Sequence, residues 1–89
     1  MYPKKLRDAL DYLGPSYSIK VIDGVESIYR EINSHYDIEI SGLFNSSKLF
    51  NLFVWKRSPL IVVDRYENLN LEDLEKQLDA VILKYRHLD

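Results

Sequence analysis

One stretch limits what this chain can fold into more than any other. Leu49–Val63 carries two apolar runs, Leu49–Trp55 and Leu60–Val63, on either side of the polar tetrapeptide Lys56-Arg57-Ser58-Pro59. Phe, Val, Trp and Ile favour a pleated, half-buried surface, and the tetrapeptide has turn composition. The stretch reads as a β-hairpin on which the other elements must pack.

Upstream, Pro3–Leu13 reads as a helix. Proline suits a first turn, where its missing N–H has no partner to lose. Leu6, Ala9, Leu10 and Leu13 share a face. Gly14-Pro15 then stops the helix. Tyr17–Ile22 alternates as a strand does, and Asp23-Gly24 is a two-residue hairpin signal.

Residues 25–32 admit two readings. Val25, Ile28, Tyr29 and Ile32 have helical spacing, and Asp23 with Glu26 resembles a capping box. The strand reading gives a continuous register instead. Ile19 falls opposite Ile28, Ile28 opposite Ile40, Ile40 opposite Leu52 and Ile38 opposite Val54, with turns at Asn33-Ser34-His35 and near Phe44–Lys48. Carried across Lys56–Pro59, it sets Val54 opposite Ile61 and Leu52 opposite Val63. The strand is preferred on that continuity, although it sets Glu31 against Asp37, a like-charge pair, and leaves Arg30 to reach solvent past apolar neighbours. The resulting core face collects Ile19, Val21, Ile28, Ile32, Tyr36, Ile38, Ile40, Leu52, Val54, Ile61 and Val63.

Leu71–Leu88 is an amphipathic helix with Leu74, Leu78, Val81, Ile82, Tyr85 and Leu88 on one stripe. Asn70 is its expected N-cap. Acids crowd its first turns and cations its last, as the helix dipole favours. The expected architecture is α+β: an N-terminal helix, a five-stranded antiparallel meander and a C-terminal amphipathic helix, forming a single compact domain over residues 1–89.

Chemistry-bearing motifs are scarce. The chain has no cysteine, so disulfides, thiolate nucleophiles and Cys-based zinc sites fall away. Its three glycines stand apart, and no His-x-x-x-His or EF-hand spacing occurs. His35, Asp37 and Glu39 would share one side of a strand, but a solvated polar row explains them. Ser34, His35 and Asp37 are sequence neighbours, whereas nucleophile, base and orienter must converge from different elements. No catalytic residue, metal site or cofactor is expected. The first residues contain no apolar run that could act as a signal or span a membrane, so the expected compartment is the cytoplasm. Asn45-Ser46-Ser47 is accordingly read as a loop.

One surface stands out. The hairpin register sets Phe53, Trp55, Leu60 and Val62 on the side of the sheet away from the core face, with Tyr66 and Tyr29 nearby. An antiparallel sheet with one wet face should be polar on that side. Two covers suggest themselves: the N-terminal helix, about 16 Å long, or another chain. The expected function is a non-enzymatic protein-interaction module, self-associating as a dimer or binding another protein through Tyr29, Phe53, Trp55, Leu60, Val62 and Tyr66. The alternative is a small nucleic-acid binder using Lys4, Lys5, Arg7, Lys56 and Arg57, if the first helix docks beside the 56–57 turn. The formal charge of −2 gives no global pull toward polyanions.

Overall fold

The computed structural model describes residues 2–88. Helix α1 (Lys4–Leu13) is followed by strands β1 (Ser18–Ile22), β2 (Val25–Glu31), β3 (Tyr36–Ser41), β4 (Phe50–Lys56) and β5 (Ile61–Leu69), then helix α2 (Leu71–Tyr85). The strands form one antiparallel meander in the order β1-β2-β3-β4-β5. Residues 25–31 are strand, and Asp23-Gly24 is the turn that makes them so. Both turn residues have positive φ, 52° and 79°, the geometry of a hairpin turn that follows the twist of its strands.

The first three pairings have the expected register. Ile19 lies opposite Ile28, Ile28 opposite Ile40, Ile40 opposite Leu52 and Ile38 opposite Val54. The fourth pairing departs from it. Val54 meets Asp64 and Leu52 meets Tyr66, not Ile61 and Val63: the turn is closed by Lys56 opposite Ile61, two residues from the expected register, and an irregularity between Val54 and Trp55 adds one more. An extra residue on one strand of a pair displaces every partner beyond it. Strand β5 is also longer than its apolar run, because it continues through the polar Asp64–Asn68.

Both helices lie on one side of the sheet. Leu6 and Ala9 of α1 and Leu74, Leu78, Val81 and Tyr85 of α2 join Ile28, Ile38, Ile40, Phe50, Leu52 and Val54 in a single buried cluster. The Lys5 ammonium stands 4.7 Å from the centre of the Phe50 ring, and Tyr12 stands beside Glu75 and Glu72 of α2. Alternation along β4 puts Phe50, Leu52 and Val54 on this side and Phe53 and Trp55 on the other. The expectation that α1 could cover the Trp55 side is therefore wrong. Five strands at about 4.8 Å spacing make a sheet about 19 Å wide, and a helix is only about 10 Å across. One helix leaves half of a face wet, so two are needed for the same face.

Two residues assigned to the core face are exposed: Val21 at 62% and Ile61 at 47%. Each occupies an edge strand, outside the shelter of the helix pair. Arg30 finds its outlet by laying its guanidinium over the Tyr17 ring, 5.3 Å from the centroid.

Helix α2 begins where Asn70 Oδ1 accepts the Asp73 N–H at 2.8 Å. Asn70→Ala is expected to destabilise the protein by about 1 kcal/mol, read as a lower urea midpoint at unchanged slope. The helix ends at Tyr85, three residues short of Leu88. Leu88 is half exposed. Asp64 anchors this end from β5, accepting from the Tyr85 hydroxyl and from Lys84 Nζ. Burial pulls Asp64 upward, but those hydrogen bonds outweigh it and hold the carboxyl below its ordinary value.

Candidate interaction face

Among the described residues no helix covers the other side of the sheet, and alternation decides which residues stand there. Strand β2 contributes Ser27, Tyr29 and Glu31; β3 contributes Asp37 and Glu39; β4 contributes Phe53 and Trp55. In the register, Tyr29 lies opposite Glu39, Glu39 opposite Phe53 and Phe53 opposite Arg65, while Glu31 lies opposite Asp37, Asp37 opposite Trp55 and Trp55 opposite Val62. These are two rows running across the strands.

The face is concave. In a flat meander Ile22 and Trp55 would occupy opposite corners, about 14 Å apart across the strands and at opposite strand ends. Yet Lys20, Val21, Ile22 and Asp23 share a cleft of about 240 Å³ with Trp55 and Leu60. The sheet must coil strongly, which bends the first hairpin over this side. Coiling explains why Asp37 and Glu39, read from the sequence as a solvated row, are only 7% and 8% exposed.

Each buried carboxylate has partners from the neighbouring strands or the β4–β5 turn. Glu39 accepts Trp55 Nε1–H at 2.8 Å and the Ser27 hydroxyl at 3.1 Å. Arg57 Nη2 comes within 2.9 Å of Asp37 Oδ1 and 3.7 Å of Glu31 Oε1, and it also donates to the Asn33 carbonyl. The like-charge pair Glu31–Asp37 is thus real, and a guanidinium from the β4–β5 turn neutralises it. The Asp37 contact is an ion pair without hydrogen-bond alignment, and Arg57 Nε is buried with no acceptor among the described residues. Burial, followed by hydrogen bonding to Asp37, pushes the Tyr29 hydroxyl up to about 12. Cations lie over two of the rings: Lys20 Nζ is 4.3 Å from the centre of Tyr29, and Arg65 Cζ is 5.4 Å from the centre of Phe53.

Of the six residues singled out as partner contacts, Tyr29, Phe53, Trp55 and Val62 stand together on this face, all half-buried. Leu60 lies in the adjoining turn, 68% exposed. Tyr66 belongs elsewhere: it pairs with Leu52 and packs against the core on the helix side, because the ladder irregularity moved it by a residue. Sequence reasoning missed Lys20 and Ser27, and gave Arg57 only to the nucleic-acid alternative. The last had a usable signal, since the strand register already set two acids side by side with no cation between them.

The basic residues of the alternative reading do not converge. Lys5 Nζ donates to Asn45 Oδ1 and the Leu49 carbonyl, which places the start of α1 at the opposite end of β4 from Lys56. Arg57 is engaged by acids. Among the described residues no group of three His, Asp or Glu side chains is placed to hold a metal ion. No helix there is long and apolar enough to cross a membrane. Comparison with known protein families, curated proteins and solved structures gives no significant match to this chain.

Proposed function

We propose that the protein is a non-enzymatic interaction module that self-associates through the concave, helix-free face around Trp55. The observation that carries this reading is the state of Trp55 itself. Its indole N–H is held by the buried Glu39 carboxylate, while Tyr29, Phe53 and Val62 stand around it, half-buried, with no helix over them among the described residues. A fixed aromatic group loses little side-chain entropy when a partner covers it, and Trp and Tyr are frequent interface anchors. The charges suit a second copy: Lys20 and Arg65 flank the face on the outer strands, and Glu31, whose side chain is 57% exposed, lies between them. Offset packing of two such faces can set cations against acids.

Sedimentation velocity from about 1 to 100 µM spans the affinities expected of a weak dimer. The expected result is a monomer–dimer equilibrium in which Trp55 emission moves to the blue as dimer forms. Trp55→Ala should weaken it at least about tenfold. A monomer throughout the range overturns the reading. So does a dimer that survives Trp55→Ala and leaves Trp55 emission unchanged in the unsubstituted chain.

A further inference from the structure

The open meander has two free edges, and β5 is the longer, with nine residues against five in β1. A cleft of about 260 Å³ follows this strand at Val62, Val63, Asp64 and Arg65. An unpaired edge is a template for another strand, and its side chains decide which strand can be accepted. Between the ladder irregularity near Val63 and Asn68, whose φ is 59°, the regular part of β5 is Asp64-Arg65-Tyr66-Glu67.

From this edge we infer that β5 pairs antiparallel with β5 of a second copy across a two-fold axis at Tyr66, joining two meanders into one ten-stranded sheet. Pleat and charge select this axis. A two-fold perpendicular to the sheet keeps each side chain on its own face, so the axis must pass through a residue pair of the same number. An axis at Asp64 opposes two aspartates, one at Arg65 opposes two arginines, and one at Glu67 opposes two glutamates. Like charges directly opposite one another are destabilising. At Tyr66 the two tyrosines meet, and Arg65 of each copy lies opposite Glu67 of the other, twice by symmetry. Glu67 is exposed and has no cation paired with it among the described residues, so its charge is available. The irregularities at the two ends prevent slippage to another register.

This contact uses the strand edge and shares only Arg65 with the Trp55 face, where the guanidinium lies over Phe53, so Glu67→Arg is the reversal that reads the edge alone. Were both to operate, each copy would carry two kinds of two-fold contact. The test is charge reversal read by sedimentation, with circular dichroism to check folding. Arg65→Glu and Glu67→Arg should each weaken self-association roughly tenfold, since two opposite-charge pairs become two like-charge pairs. The double variant should return to within about threefold of the unsubstituted chain, because it restores the pairs in reverse. Hydrogen exchange on the Trp55→Ala variant, which removes the Trp55 contact, gives a second readout: protection of the amides at 64–67 should still fall on dilution. A protein monomeric at all concentrations overturns the inference. So do single reversals without effect, a double variant that is not restored, or β5 protection independent of concentration.

Discussion

Arg57→Ala is expected to destabilise the protein by about 2 kcal/mol, lowering the melting temperature by roughly 10 °C for a domain of this size. The substitution leaves Asp37, whose side chain is 10% exposed, without the guanidinium 2.9 Å away. It also restores the unrelieved opposition of Glu31 and Asp37 across the β2–β3 ladder, and the Asn33 carbonyl loses a donor. The figure sits below the roughly 3–5 kcal/mol typical of breaking a fully buried pair. Here the Arg57 side chain is 34% exposed, and the Asp37 contact lacks hydrogen-bond alignment. Denaturant melts of the single variant and of Arg57→Ala with Asp37→Asn measure the coupling. The double variant should recover more than half of the loss, since the neutral amide strands no charge. A single variant within about 0.5 kcal/mol of the unsubstituted chain would show that solvent already satisfies Asp37.

Leu52→Ala should have the larger effect, about 3 kcal/mol. Leu52 is fully buried on β4, between Ile40 on one side and Tyr66 on the other, under the paired helices. Truncation removes apolar contact and leaves a cavity that two strands and two helices cannot easily collapse. A chain of 89 residues has a total stability of roughly 4–13 kcal/mol, so this one change consumes a large share. The measurement is the urea midpoint with slope compared. A loss under about 1 kcal/mol would mean that the site repacks, and Leu52 would not be a keystone of the core.

Much of this fold is legible from residues alone because the signals are local. Asp23-Gly24 specifies a hairpin whose register follows from pleat parity, and Ile19, Ile28, Ile40 and Leu52 then line up without further information. Asn70 marks the start of α2 in the same way. The errors come from properties that no local pattern carries. The irregularity near Val63 falls within an uninterrupted apolar run, so nothing marked it, and it moved Tyr66 to the helix side. The placement of α1 depends on sheet width against helix width, a global quantity. The burial of Asp37 and Glu39 depends on sheet curvature, so an alternating polar row looked solvated when it lines the floor of a trough. The candidate face was found as a set of apolar residues; its acid–cation framework emerged only in three dimensions.

The nearest-neighbour order of the meander bears on how the chain folds. Every strand pairs with the next in sequence, so the sheet can grow hairpin by hairpin, each closing a short loop. Only α1 must wait. It docks between elements made much later in the chain, beside α2 and the β3–β4 loop, and its closure spans nearly the whole polypeptide. The first helix is therefore expected to settle last and detach first, in a native-state opening that exposes Leu6 and Ala9 while the five strands stay paired.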